Sequence, residues 1–199
     1  GQKLDIKCNL PGSFNTANSL AAVCVGASLG LKPSQIERGI AALQSVEGRM
    51  TRIDEGQDFD VIVDFAHTPD SFEKLFKDLR PVVKGRLISL FGSAGRRDIS
   101  KRAIQGRLAG EVSDIVVVTE EDDRDVDGYQ IMAQIAEGAR EAGKVEGKDL
   151  YTILDRTEAI KFALSQAKKG DTVILLGKGH EKTIERADGE HPWDEIGLT

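Results

Sequence analysis

The chain has 199 residues with a net charge of −6, 40% hydrophobic and 30% charged residues. That is the make-up of a soluble globular protein forming one large domain, or one domain plus a piece of another. The acidic balance argues against a nucleic-acid footprint, which calls for a basic face, and no apolar run approaches the ~20 residues needed to span a membrane. No basic-then-apolar signal segment opens the chain. Cys8 and Cys24 have neither paired metal spacing nor a disulfide framework. Their small, apolar surroundings suggest buried reduced thiols, and a reducing cytoplasm is the expected compartment. The chain opens Gly1-Gln2 without a methionine, as expected of an excised fragment.

Residues 1–45 read as the tail of a preceding domain, with the boundary near Val46–Gly48. A short strand is expected from Leu4 to Cys8, then an Ala-rich helix over 16–29 that ends at Gly30. A second helix follows, with Ser34 and Glu37 spaced as a capping box and Ile36, Ile40 and Leu43 on one face. Two short helices and one strand cannot enclose a core of their own. From residue 61 the pattern changes to β-branched runs at 61–65, 86–91, 115–119, 150–154 and 172–176. Such nearly continuous apolar runs suit strands covered on both faces. Helices lie between them. Phe72, Leu75, Phe76 and Leu79 mark one over 69–80; Ile131, Met132, Ile135, Ala136 and Ala139 mark another over 128–142; Ala159, Ile160, Ala163, Leu164 and Ala167 mark a third over 156–169. The alternation predicts an α/β fold, a doubly wound and mostly parallel sheet with right-handed crossovers.

Each strand is followed by a polar loop: AHTPD, GSAGRRD, EEDDRD, DRTE and GKGHE. In open α/β sheets ligands bind outside the carboxyl ends of the strands, so His67, Arg96, Arg97, Arg124, Lys178, His180 and Glu181 are expected on one rim. Thr68 and Pro69 suit a helix N-cap and first turn. Asp64 does not fit that account, because a carboxylate in an apolar strand is costly unless paired or liganded. Of the four cations Arg96, Arg97, Lys101 and Arg102, Arg97 is the choice for anion recognition, since a guanidinium grips a carboxylate with two hydrogen bonds. Asp123, Asp125, Asp127 and Gly128 match half of a calcium loop, but Gln134 stands where a bidentate Glu belongs. Several of these acids are better explained as partners of a helix N-terminus. GKGHE is neither a phosphate-loop nor a dinucleotide fingerprint, and neither motif occurs in the chain. His191, in a polar C-terminal tail with Trp193, reads as surface.

Six stretches in order, GSFNTANSLAA (12–22), EGRM (47–50), VDFAHTPDS (63–71), FGSAGRRDISKR (91–102), DRTEAI (155–160) and GKGHE (177–181), resemble the Mur ligases of bacterial cell-wall synthesis. Within that family the resemblance is to the branch that adds the third amino acid to UDP-MurNAc-L-Ala-D-Glu. It implies that 1–45 finish the central ATPase domain and that 46–199 form the Rossmann-like C-terminal domain. The implied reaction is ATP-dependent amide ligation in peptidoglycan precursor synthesis, through an acyl phosphate attacked by a diamino acid. The phosphate loop, the Mg²⁺ ligands and the UDP-binding domain would lie in other parts of the ligase, so no metal site and no catalytic residue is expected here. The fragment alone would be inactive. By position, Asn15 and Asn18 would lie near adenine, and Arg49, Asp64 and His67 would contact the ribose and phosphates of ATP. Arg97, the loop Glu121, Asp122, Asp123 and Arg124, and Gly177 and Glu181 would form the amino-acid pocket. There Arg97 and Arg124 would hold a carboxylate and Glu181 an ammonium.

Two positions depart from the family pattern. Diaminopimelate-adding members carry Asp-Asn-Pro-Arg where this chain has Glu121-Asp122-Asp123-Arg124, and Arg96 stands where an Asp is common. The charge on Asp122 would repel a second carboxylate, which tilts the reading toward lysine or ornithine while diaminopimelate stays open. The alternatives are another Mur-type ligase, such as a folylpolyglutamate or cyanophycin synthetase, and a non-catalytic module that binds a nucleotide or amino acid. GKGHE with AHTPD argues against the first, and a G-K-[ST] loop upstream would argue against the second.

Overall fold

The computed structural model describes residues 3–199, and the chain divides into two compact units, 1–46 and 47–199. The first unit contains α1 (Asn15–Ser28) and α2 (Pro33–Ala42). The strand expected at Leu4 to Cys8 does not form. Instead this segment is tied to α2 by the Asp5 amide donating to Glu37 Oε1 (2.9 Å) and Asn9 Nδ2 donating to the Ala41 carbonyl (2.8 Å). The capping box also shifts frame. Pro33, which lacks an N–H and has its φ fixed, takes the first helical position, so the cap falls on Lys32 and its amide donates to Gln35 Oε1. Ile36 is the one buried apolar side chain among the described residues of this unit, while Leu20, Val25, Leu29 and Leu31 are exposed. Cys24 is exposed and Cys8 half-buried, which corrects the expectation of buried thiols.

The second unit is an α/β sandwich. Its sheet has β1 (Thr51–Ile53), β2 (Asp60–Asp64), β3 (Leu87–Phe91), β4 (Ile115–Val118), β5 (Leu150–Thr152) and β6 (Thr172–Leu176), in the order β1-β2-β6-β3-β4-β5. The five strands expected from sequence are parallel; β1 adds an antiparallel edge, with Thr51 opposite Val63. Helices α3 (Pro69–Leu79), α4 (Ser100–Val112), α5 (Gly128–Glu141) and α6 (Arg156–Gln166) connect them. Alternate residues of each strand feed two cores. Ile62, Val116, Val118, Ile174 and Leu176 pack with Phe72, Phe76, Ile131 and Ile135. Val61, Val63, Val117, Val173 and Leu175 pack with Ala159, Ile160 and Ala163. This two-faced burial is why the strand sequences are apolar throughout. A hairpin of β7 (Thr183–Arg186) and β8 (Gly189–Pro192), then α7 (Glu195–Leu198), complete the chain. Contrary to the reading of a polar tail, Trp193 and Glu195 are buried here, while His191 is half-buried and paired with Asp188 on the hairpin. Among the described residues no helix is long and apolar enough to cross a membrane.

Helices α4 and α5 approach so closely that a Cβ on Gly138 would fall on the Ala103 carbonyl, and one on Gly106 on that of Ile135. Both obstacles are backbone, which cannot swing aside. Gly138→Ala should therefore destabilise the protein by about 3 kcal/mol, the upper end of overpacking costs, despite the better helix propensity of Ala. A urea midpoint that is unchanged or raised would contradict this packing.

Candidate amino-acid site at the carboxyl edge of the sheet

The polar loops meet where the parallel strands end. Phe65, His67, Ala94, Arg97, Asp98, Lys101, Glu121, Asp122, Arg124, Gly177 and Glu181 line one cavity of about 420 Å³. Six of the seven residues expected to form an amino-acid pocket are thus brought together, with His67 beside them. Asp123, the seventh, lines a separate cavity of about 310 Å³ with Glu120, Arg124, Asp155 and Arg186. A larger cavity, about 600 Å³, lies between the C-terminal ends of α3 and α4 and contains none of the expected site residues.

Local chemistry explains each placement. Thr68 caps α3 by accepting from the Ser71 amide, with Pro69 at the first helical position, and this fixes the turn that carries His67. His67 Nδ1 bonds the Phe65 carbonyl (2.9 Å), while Lys101 Nζ donates to the His67 carbonyl (3.0 Å). The Phe65 ring has the Arg49 guanidinium 4.7 Å from its centroid and the His67 and His180 rings at 4.7 and 5.1 Å. Asp64, puzzling from sequence, accepts from the amides of Met50 and Ala66, each at 2.8 Å. Burial outweighs those two bonds and raises its carboxyl above the usual range. Asp64 thus holds the entrance to β1 in place. In the first unit, Asn15 is buried and donates to the Pro11 carbonyl, and Asn18 donates to Asn15 Oδ1 (2.9 Å).

The charges in the cavity are paired unequally. Lys178, only 1% exposed, binds both Asp122 Oδ1 and Glu181 Oε2 at 2.8 Å. Asp122 Oδ1 also accepts from the Glu185 amide. Asp122 is thus tied to Lys178, which shares its single positive charge between Asp122 and Glu181. Arg124 donates through Nε to Glu185 (2.7 Å) and through Nη1 to the Gly95 carbonyl (2.6 Å). Arg96 turns away to Asp125. Arg97 is exposed and has no hydrogen bond or ion pair among the described residues. Glu121 is 7% exposed and its carboxylate accepts no hydrogen bond among the described residues, and burial raises its pKa against the pull of Lys101 and Arg156. Gly177, at φ 105°, leaves room for that carboxylate; a Cβ there would sit 2.5 Å from Glu121 Oε2. Of the other acids in the loop, Asp127 caps α5 through the Tyr129 amide. Sequence reasoning did not pick out Phe65, Asp98 or Lys101 as lining residues. Lys101 was visible among the four cations, but its position at the buried start of α4 was not.

Residues 48–179 match the family described as Mur ligase, glutamate ligase domain. The chain belongs to the Mur ligase family. A UDP-N-acetylmuramyl-tripeptide synthetase of Roseiflexus sp. (strain RS-1) is 48% identical over 194 residues, covering 96% of this chain and 38% of that protein. A UDP-N-acetylmuramoyl-L-alanyl-D-glutamate--2,6-diaminopimelate ligase of Alkaliphilus metalliredigens (strain QYMF) is 38% identical over 194 residues, with 97% and 38% covered. A solved 2,6-diaminopimelate ligase superposes with a TM-score of 0.69 at 32% identity, covering 97% of this chain and 39% of that one. The chain thus spans about two-fifths of the length of the relatives it matches.

Asp123 yields a direct test of the loop's electrostatics. Burial, reinforced by Glu120 and Glu121, raises its pKa from 3.8 to about 6. A carboxyl whose folded pKa lies above its unfolded value stabilises the fold when protonated, and that contribution is lost as pH rises from about 4 through 6. Asp123→Asn should therefore be more stable than the parent at pH 7.5 by up to about 3 kcal/mol, with the difference vanishing below pH 4. Parallel stability–pH curves for the two proteins would contradict this.

Proposed function

We propose that this chain is the amino-acid-binding part of an ATP-dependent amide ligase that adds a diamino acid to UDP-MurNAc-L-Ala-D-Glu. The observation that carries the reading is the cavity itself: a guanidinium, Arg97, and a buried carboxylate, Glu121, neither with a hydrogen-bond partner among the described residues, stand in one concavity with Arg124 and Glu181. A zwitterion matches both needs. Its carboxylate would take the guanidinium groups of Arg97 and Arg124, and its ammonium the carboxylates of Glu121 and Glu181.

In this reading ATP transfers its γ-phosphoryl group to the substrate carboxylate with release of ADP, and an amine of the bound amino acid, once deprotonated, attacks the acyl phosphate and expels inorganic phosphate. Holding the amine in line and stabilising charge at the phosphoryl oxygens supply most of the acceleration. Arg49, Asp64 and His67 would form the nucleotide lip: Arg49 and His67 reach toward ribose and phosphates, and Asp64 fixes the backbone between them. Asn15 and Asn18 would face adenine from the end of the central ATPase domain, to which residues 1–45 belong. ATP and the Mg²⁺ that accompanies it would be held by a phosphate loop that this sequence does not contain. A nucleotide-consuming reaction of this kind belongs in the cytoplasm. Diaminopimelate, lysine and ornithine all offer the required ammonium and carboxylate groups. The names of the relatives above support this branch of the family.

In the complete ligase, Arg97→Ala should lower kcat/KM for the amino acid about a hundredfold, the scale for losing one partner of a desolvated charge pair, with the KM for ATP unchanged. The 199-residue chain alone, mixed with ATP, Mg²⁺ and both substrates, should form no product. Undiminished amino-acid use by the Arg97 variant, or turnover by the isolated chain, would defeat the assignment.

A further inference from the structure

The hairpin β7–β8 takes no part in the main sheet, yet it is bound to the loop that lines the cavity. The Arg124 amide donates to the Glu185 carbonyl (3.0 Å), and the Glu185 amide donates to Asp122 Oδ1 (2.9 Å). Glu185 Oε2 accepts from Arg124 Nε (2.7 Å), and the Arg186 guanidinium grips both oxygens of Glu120 (2.9 and 2.6 Å). Arg124 lies at φ 57°, a left-handed conformation that a non-glycine residue keeps only where its surroundings hold it. Its Nη1 is taken by the Gly95 carbonyl. Nη2 is the one guanidinium nitrogen without a protein partner among the described residues.

We propose that Glu185 is a positioning residue for substrate recognition: with the Gly95 carbonyl it fixes the plane of the Arg124 guanidinium so that Nη2 is presented to the carboxylate of the bound amino acid. This rests on reading the cavity as the amino-acid pocket. A guanidinium is a rigid planar fork, so bonds at two of its nitrogens set the direction of the third. The alternative effect of Glu185, competition for the charge of Arg124, has the opposite sign. Glu185 is 39% exposed and Arg124 18%, so solvent screens that charge effect while leaving the geometric constraint intact. Orientation therefore dominates. The hairpin becomes part of the specificity apparatus although, of the residues it bonds here, only Arg124 and Asp122 line the cavity.

The test is steady-state kinetics of the complete ligase with the amino acid varied and ATP and the UDP-linked substrate saturating. Glu185→Ala should raise the KM for the amino acid about tenfold, with kcat and the KM for ATP within about twofold. Glu185→Gln keeps an acceptor for Nε and should stay within about threefold of the parent. In an Arg124→Ala background, Glu185→Ala should add nothing further. A lower KM in both Glu185 variants would show that charge competition governs and would overturn the proposal, as would full additivity with Arg124→Ala. If the parent enzyme uses the amino acid and Arg97→Ala impairs it while Glu185→Ala does not, the pocket stands and the role of Glu185 falls. If the parent forms no amide bond, both fall together.

Discussion

The guanidinium of Arg156, fully buried where β4 and β6 end, is the interaction on which the candidate site depends. It donates to both oxygens of Glu195, to the Glu120 carbonyl and to the Leu176 carbonyl, while the Arg156 amide donates to Glu120 Oε1. Burial alone would push its pKa down; Glu195, with Glu121 and Glu120, more than offsets this. Desolvating such a charge costs several kcal/mol and is tolerated only with near-complete hydrogen bonding. Arg156 meets that condition. In doing so it ties together the start of the 120–124 loop, the end of the strand leading into 177–181, and α7. Glu195 in turn accepts from the Trp193 indole (2.8 Å), so the chain's last turns are anchored to the same point.

Above that anchor the loops are held by a second buried cation. Lys178 bridges Asp122 and Glu181, one from each loop, so the two walls of the cavity keep their spacing without a ligand. The outcome is a concavity in which Asp122, Arg124 and Glu181 are already ion-paired, while Arg97, Asp98, Lys101 and Glu121 are in no ion pair among the described residues. Preorganised charges of this kind bind without first having to be reorganised, which is how a site gains selectivity from a modest number of contacts. Among the four without an ion pair, the Arg97 guanidinium and the Glu121 carboxylate also lack a hydrogen-bond partner among the described residues, and they are of opposite sign.

Much of this architecture is legible in the sequence because periodicity reports burial. Strands buried on both faces read as apolar runs, and their carboxyl ends could be assigned by position, which is why His67, Arg97, Arg124 and Glu181, expected on one rim, line one cavity; Glu121 entered only through the family resemblance. The remainder depended on long-range pairing. Neither β1 nor the β7–β8 hairpin has a strong apolar alternation, although Asp188-Gly189 is a turn signal. Asp64 could be recognised as anomalous, but not as the acceptor for Met50, fourteen residues upstream. Asp122 appeared as an added negative charge because its partner, Lys178, is fifty-six residues away in sequence. Pro33 was the overlooked local cue that set the frame of α2.

The most direct measurement is a crystal structure of the full-length protein crystallised with a diamino acid. Electron density is expected in the cavity between the 92–98 turn and the 177–181 loop, with the carboxylate on Arg97 and Arg124 and an ammonium within hydrogen-bonding distance of Glu121 or Glu181. Density for the amino acid in the neighbouring cavity, against Arg186 and Asp155, with Arg97 left in solvent, would contradict it.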